Sequence, residues 1–454
     1  MYHPQSMSDW PELGTSIQLI VKTWSGDGNY TGIILPSSGP NLVTIKLNNG
    51  YNISFPKSYV KSFKILSDTS DAVKLDVDKQ IQDESLPLVY IIHTGGTIAS
   101  KVDYKTGAVS ATFEPNDLLN SIPEIKEIAR IKVLKLGNMW SDDLRPRHWN
   151  KMLEASEKAF SEGAKGVVIT HGTDTLHLSA AAMAYGWSGD GQRPPGRIVL
   201  TGSQRSPDRG SSDAAENIIA SVMWAANGPP VSGYRDTSVV ILHANSSDGK
   251  CAVLPGCATR KYHSSRRDAF KSINQDPLAH ITIDKKEILI KMSDFEPYEA
   301  RFETSTPSLF DENIKIAEFI SGPHLQPSLV ESAVKLNFNA LLFHGTGLGH
   351  LPIANPEEDS IENTKLKAVL EDYCSNGGIA VVVAQTIQGP VNMDVYSKGR
   401  QQQKIGIIGH KSLCPPGSSL VKLHYLLSQG KGREIVLSGW EENLVGENPS
   451  FTFD

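Results

Sequence analysis

Two changes of hydrophobic rhythm divide the chain. Between about residues 15 and 66, short apolar runs alternate with turn signals: "SIQLIVK" before "SGDGN", then "YTGIILP", then "NLVTIKL", "NNG" and "YNISF". Runs of this length, rich in Ile, Val and Tyr and bounded by Gly, Asn and Asp, predict strands, and Asn-Gly between two of them predicts a type I′ hairpin. Five short strands in about fifty residues predict a small SH3-like or Sm-like β-barrel. The next stretch, "SDTSDAVKLDVDKQIQDES", is polar and acidic with neither a helical nor a strand period, which predicts a linker over 68–85.

From Leu86 the pattern becomes apolar run, glycine-rich loop, helix. "LPLVYIIHTGGTIAS", "GVVITHGTDTLHLSAAAMAYGW" and "RIVLTGSQRSPDRGSSDAAENIIASVMWAA" are three such units. Continuous apolar strands alternating with helices predict a parallel sheet covered on both faces, which binds ligands at the carboxyl ends of its strands. In the third unit Asp213 and Glu216 stand at capping-box spacing. A last region repeats this grammar with "ALLFHGTGLGHLP", a helix "ENTKLKAVLEDYCSNGG" stopped by Gly377 and Gly378, and the strand "IAVVVAQT". The fold class is therefore α/β: a barrel over 1–67, the linker, an α/β domain carrying the catalytic loops over 86–300, and a smaller α/β domain over 301–454.

Composition narrows the function classes. A chain of 454 residues with 39% hydrophobic and 21% charged residues reads as a soluble globular protein of two or three domains. A formal net charge of -6 gives no global attraction to a polyanion. Its one dense basic run, Arg260, Lys261, Arg266, Arg267 and Lys271, reads as part active site and part solvated face. The start "MYHPQSMSDWPELG" has no basic region leading into an apolar core, and no apolar run approaches the roughly 18–20 residues of a spanning helix, so a cytoplasmic protein is expected. Four cysteines without C-x-x-C spacing predict buried thiols, with neither a disulfide framework nor a metal site.

The glycine loops carry the chemistry. "TGGTIAS" has no Lys-Ser/Thr after its glycines and "HGTGLGH" spaces them as G-x-G-x-G, so neither is a nucleotide loop; G-x-S-x-G and H-E-x-x-H are absent. Glycines here instead let the backbone approach a small substrate and aim N–H groups at a developing oxyanion. The hydroxyls of Thr94 and Thr97 become candidate reactive groups, against the competing role of helix caps. A second loop, "THGTDT", sets Thr173 beside Asp174 after another buried strand. A hydroxyl nucleophile needs a base, and Tyr104 in "KVDYKTG" and Lys261 in "TRKYHSSRRDAF" are the candidates.

"TGGTIAS" followed by "VITHGTDT" resembles the two signature loops of the bacterial-type L-asparaginase family, a resemblance that runs from about Leu86 through "VLTGSQRSPDRGSSDAAEN" and "TRKYHSSRRDAFKSIN". It implies that Thr97 is the nucleophile with Tyr104 on a lid beside it, and that Thr173, Asp174 and Lys261 form the second catalytic group. Gly96 and Gly172 then line the substrate site. Where that family often carries Gly-Ser-Gln-Asp, this chain has "GNMWSDD", which leaves Asn138 or Ser141 to hold the substrate α-carboxylate. A second departure is "SLCPPGSSLVKL", with prolines and glycine where an acidic residue is expected before the last helix.

The barrel segments "GDGNYTGIILPSS" and "IKLNNGYNISF", with "NMDVYSKGR" and "NLVGE", narrow the resemblance to the D-subunit family of archaeal glutamyl-tRNA(Gln) amidotransferases. That resemblance implies a glutamine amidohydrolase, working through a threonine acyl-enzyme, that supplies ammonia to the E-subunit of the same amidotransferase. The partner would bind Glu-tRNA(Gln) and use ATP with Mg, leaving this chain without a cofactor or metal and forming a homodimer core. A free-standing L-asparaginase or glutaminase with an extra barrel, and a catalytically silent amide-sensing protein, are the competing readings.

Overall fold

The computed structural model describes residues 10–449 apart from 24–25, 36, 38, 48–51, 68–82, 97, 99–100, 103–108, 111–121, 208–210, 284–287, 294–298 and 431. The first sheet has five antiparallel strands: β1 Ser16–Thr23, β2 Gly26–Leu35, β3 Leu42–Leu47, β4 Asn52–Pro56 and β5 Val60–Ser67, in the order β4-β3-β2-β1-β5. Ile17, Leu19 and Val21 alternate inward from β1 and meet Ile34, Ile45, Phe55 and Phe63 in one small core. "SGDGN" separates two strands as expected, since β1 ends at Thr23 and the antiparallel β2 begins at Gly26, but most of it is itself strand. Gly26 to Asn29 pair with Thr23 to Ile20, so four of those five residues belong to β2. A Cβ at Gly28 would lie 2.7 Å from the Tyr30 ring, so this glycine serves a close approach within a strand. The "NNG" turn and most of the expected linker lie outside the described residues.

The second sheet has eight strands. They are β6 Leu88–Gly95, β9 Arg130–Met139, β10 Gly166–Thr170, β11 Arg197–Thr201, β12 Val239–His243, β13 Lys250–Pro255, β16 Ala279–Ile283 and β17 Ile288–Met292; β7 Lys101–Val102 with β8 Val109–Ser110, and β14 Thr259–Lys261 with β15 Phe270–Ser272, form two small ribbons. The order is β17-β16-β13-β12-β11-β10-β6-β9. The five strands from β9 to β12 run parallel, whereas β13, β16 and β17 join antiparallel. The expected parallel sheet thus holds for the part that carries helical crossovers. The six residues between β12 and β13 are too few for a crossover and can only close a hairpin.

Every residue of β6, β10 and β12 is buried. Tyr90, Ile92, Val167 and Ile169 face the helices Pro146–Ser161, Leu176–Ser188 and Pro416–Gly430, while Val89, Ile91 and Val168 face the helix Ala214–Asn227. From β6 the chain moves to β9 on one side and then crosses back to β10 on the other. The order reverses there, which opens a crevice at the carboxyl ends of β6 and β10.

The third sheet is parallel, β18 Ile316–Ile320, β19 Ala340–Gly345 and β20 Ala380–Ala384. Its helix Ile361–Ser375 ends at the glycine pair as expected, with Gly377 at φ +84°. The helix after "SLCPP" is not the last: Arg433–Glu441 follows it, and both return to the second sheet's core through Leu423, Leu426, Leu427 and Trp440.

Asp213 and Glu216 do not form the expected box. Asp213 occupies the N-cap position without a side-chain cap bond. Its buried carboxylate instead accepts N–H groups of Gln204 and Arg205 and the hydroxyl of Ser203, tying down the loop after β11. Glu216 turns outward to accept the Gly249 N–H at 2.8 Å. Tertiary donors for both carboxylates outcompete the helix's own. All four cysteines are buried free thiols, as expected, and no described helix is long and apolar enough to cross a membrane.

The C-terminal tail is fastened by a buried ion pair. Lys422 Nζ lies 2.6 Å from Glu447 Oε1 and donates to the carbonyls of Trp440 and Glu442; Glu447 accepts the N–H groups of Leu444 and Val445. Removing one partner strands a buried charge, whereas removing both does not. Glu447→Gln is expected to destabilise the chain by about 3 kcal/mol. Adding Lys422→Met should recover part of that loss, as read from the urea midpoints of the four members of the cycle.

Candidate active site

Three strand ends meet where the order reverses. Gly95 (φ +130°) and Gly96 (φ +88°) end β6 in conformations that favour glycine. A Cβ on Gly95 would sit 2.3 Å from the Met139 carbonyl oxygen, one on Gly96 2.5 Å from the Gly172 nitrogen, and one on Gly172 2.9 Å from Ser141 Cβ. The ends of β6 and β9 therefore lie backbone against backbone, as do the loops after β6 and β10 at Gly96 and Gly172, and Gly172 leaves room only for the Ser141 side chain.

Thr94, one of the two expected reactive hydroxyls on this loop, is buried and donates to the Thr170 carbonyl at 2.9 Å. It is a tie between β6 and β10, because the strand's pleat turns it into the sheet. His93 beside it meets Thr170 Oγ1 at 2.8 Å and hydrogen-bonds the Asn138 side chain; burial pushes its pKa down to about 4. Asn138, a candidate for the substrate carboxylate, thus rests against His93 at the exposed end of β9. The other candidate, Ser141, is buried beside Gly172, and its carbonyl accepts the Thr175 hydroxyl at 2.5 Å.

His171 orients the second loop, a role that the sequence motifs do not announce. Its Nδ1–H donates to the Gly172 carbonyl at 2.6 Å, so in the neutral ring Nε2 accepts, here from the Ser179 hydroxyl at 2.9 Å. Ser179 in turn accepts the Trp149 indole N–H at 3.2 Å. Burial holds the His171 pKa down to about 4, which keeps the ring neutral and this one-way chain of donors intact. Ser179 lies on a helix that starts only at Leu176, after His171, so no helical spacing announces the pairing.

The predicted second group assembles. Lys261, at the end of β14, donates from Nζ to Thr173 Oγ1 at 2.8 Å and to Asp174 Oδ1 at 2.7 Å. The lysine side chain is 10% exposed and the aspartate 68% exposed, so the cation is held at the cleft wall and its counter-charge faces the opening. Thr97 and Tyr104 lie outside the described residues; Thr97 directly follows Gly96 in the chain.

A cavity of about 620 Å³ opens beside this group. Its wall carries Lys261, Asp174, Arg260 and His177 from the second sheet's side and Ile320, His344 and Gln385 from the ends of β18, β19 and β20. As a motif, "HGTGLGH" reads only as a failed nucleotide loop. The rule that ligands gather at strand carboxyl ends applies to the third sheet as well and could have brought in His344 and Gln385. The basic run divides: Lys261 and Arg260 face the cleft, Arg266 pairs with Asp268, Arg267, largely buried and not on a solvated face as expected, pairs with Asp248, and Lys271 lies 3.9 Å from Asp268. Most of its charge is thus neutralised within the chain.

Comparison with known proteins places the chain's domains. Residues 88–294 match the model for the asparaginase N-terminal domain, 315–437 that for the glutaminase/asparaginase C-terminal domain, and 19–62 that for the GatD N-terminal domain. The glutamyl-tRNA(Gln) amidotransferase D-subunit of Metallosphaera sedula is 34% identical over 457 residues, covering 100% of this chain and 97% of the relative. The chain belongs to the glutamyl-tRNA(Gln) amidotransferase D-subunit family. The family's member from Methanococcus vannielii is 36% identical over 394 residues, covering 84% of this chain and 86% of its own. The fold is also that of the thermostable L-asparaginase from Thermococcus kodakarensis, with a TM-score of 0.65, 24% identity, and coverage of 79% of this chain and 98% of the asparaginase. That alignment leaves room for what distinguishes the GatD family from an L-asparaginase, the additional N-terminal sheet.

His93, His171 and His177 all have pKa values pushed down from 6.5 to about 4, each chiefly by burial. The unfolded chain takes up these protons first, so stability present above pH 6.5 is lost as the pH falls toward 4. The urea midpoint should therefore drop across that window and level off below it, and His171→Gln should make the drop shallower.

Proposed function

We propose that this chain is the glutamine amidohydrolase subunit that supplies ammonia for converting Glu-tRNA(Gln) to Gln-tRNA(Gln). The observation that carries this reading is Lys261, bonded to both Thr173 and Asp174, beside a backbone junction where Gly96 meets Gly172. A lysine ammonium donating to a threonine oxygen leaves the hydroxyl proton free to point into the cleft. Asp174 balances the charge. Such a pair can orient water and stabilise a developing negative charge.

In this proposal Thr97 Oγ adds to the side-chain amide carbon of glutamine, and its proton passes by way of Tyr104 or a bound water to the departing nitrogen. Backbone N–H groups at Gly96 and Gly172 hold the oxyanion, each worth about 3 kcal/mol in comparable sites. Ammonia leaves and a glutamyl ester of Thr97 remains. Water directed by Thr173 and Lys261 hydrolyses the ester and restores the threonine hydroxyl. Asn138 or Ser141 holds the substrate α-carboxylate. The chain needs no cofactor of its own; ATP with Mg and Glu-tRNA(Gln) belong to the amidotransferase's E-subunit, with this chain as a homodimer core in the cytoplasm. The internal pairing of the basic run supports leaving the tRNA to the partner, since few of its cations remain to neutralise phosphates.

A free-standing amidohydrolase is the second reading, favoured by the coverage of 98% of an L-asparaginase chain by this fold. Ammonia release from glutamine and asparagine, measured on the chain alone and then with the E-subunit, Glu-tRNA(Gln) and ATP, separates the two. Several-fold stimulation by the complete mixture is expected; full turnover without it would favour the second reading. Thr97→Ala, Thr173→Ala and Lys261→Met should each lower kcat by roughly 10²–10⁴-fold while the far-ultraviolet spectrum stays unchanged. A Thr97→Ala chain within twofold of wild type would remove that residue from the nucleophile's role.

A further inference from the structure

The far end of β12 carries side chains that amide hydrolysis does not use. Glu216 on the helix Ala214–Asn227, His243 at the end of β12 and Asp248 in the turn to β13 each bring one potential ligand atom to within 4.8 Å of the others. The His243 ring is wholly buried, whereas Asp248 is 73% exposed.

The neighbours of His243 set its tautomer. The Asn217 amide nitrogen donates to the Gly202 carbonyl at 2.9 Å and to Asp213 Oδ2 at 3.1 Å, two groups that only accept. Asn217 Oδ1 is thereby turned to His243 Nδ1 at 2.8 Å, and because an amide oxygen only accepts, Nδ1 carries the hydrogen. Its Nε2 is buried without a hydrogen-bond partner among the described residues and lies 3.1 Å from Glu216 Oε2. Lone pair against carboxylate oxygen is repulsive at that distance unless a positive charge lies between them. Around the group three carboxylates, Asp213, Glu216 and Asp248, face one guanidinium, that of Arg267.

We infer that Glu216, His243 and Asp248 bind a divalent transition-metal cation of the zinc class. An ion about 2.1 Å from both Nε2 and Oε2 would see them at roughly 95°, between the tetrahedral and octahedral angles. One imidazole with two carboxylates suits zinc, cobalt or manganese better than magnesium or calcium, which take oxygen alone. The supporting contacts match those of a built site. Asn217 fixes the ring, the Gly249 N–H at 2.8 Å fixes Glu216, and Arg267 holds Asp248 while also donating to the Ser211 carbonyl at 2.9 Å. The ion would join that helix to the β12–β13 turn.

The test uses the full chain, stripped with a chelator and then dialysed against micromolar free zinc or cobalt, with metal counted per chain. One zinc per chain is expected, with a raised thermal midpoint and, for cobalt, a visible d–d absorption. Asp248→Asn, at an exposed position, and Glu216→Gln, which keeps an acceptor for Gly249, should each weaken uptake by about 10–100-fold with the fold intact. No saturable uptake by the wild-type chain, or equal uptake by both variants, would overturn the site. A chain that binds no zinc while His243 titrates as an imidazolium paired with Glu216 would overturn it too, by supplying the positive charge another way.

Discussion

The structure depends on a contact with no side chains in it. Gly96 and Gly172 come so close that a single methyl group on either would overlap the other loop's backbone or Ser141. Two strands about 4.8 Å apart normally diverge into loops that their side chains hold apart. Here the loops stay together, because glycine alone combines positive φ with a surface of bare backbone. Their backbone N–H groups are thereby brought to one place. Thr94, which the same strand turns inward, strengthens the junction by bonding across it to Thr170.

Charge in the site is handled by the opposite means. His93, His171 and His177 are kept neutral by burial, so they can serve as fixed dipoles and hydrogen-bond links. Lys261 keeps a cation's donor geometry by facing Asp174, whose other side is open to water. A neutral interior with a compensated lysine at its edge is an environment in which a small change of charge on a substrate is strongly felt. That is a condition which the proposed hydrolysis of an amide by threonine hydroxyls requires.

Some of this is legible in the sequence, for identifiable reasons. The fully buried strands β6, β10 and β12 announce themselves as unbroken apolar runs, and the loops after two of them carry the residues that converge. Thr173, Asp174 and Lys261 can be paired in advance only through the family resemblance, since 88 residues separate the lysine from the threonine. Thr94 misleads because a loop threonine and a strand-end threonine read alike until the pleat is known. Asp213 and Glu216 mislead because capping-box spacing says what the helix offers, not what the loop after β11 and the turn after β12 also offer. "SGDGN" signals a turn, and the chain does reverse between Thr23 and Gly26, but pairing with β1 draws Gly26 to Asn29 into β2, which the glycines do not announce.

The third sheet explains why the body needs its second half. A parallel sheet leaves its carboxyl ends open, and the group at Lys261 would otherwise face solvent along that whole side. Ile320, His344 and Gln385, from the carboxyl ends of β18, β19 and β20, form the opposite wall. Gln385 donates to the Ser321 and His344 carbonyls, both at 2.6 Å, so those strand ends are locked to one another and do not gape toward the cleft. The wall is held in place from behind, since the helix Pro416–Gly430 packs into the second sheet's core while its first turn, at Pro416 and Gly417, lines the same cavity. The Lys422–Glu447 pair on that helix then fixes the tail that follows. The same helix therefore serves the core with one part and the cleft with another, which ties the shape of the site to the stability of the fold.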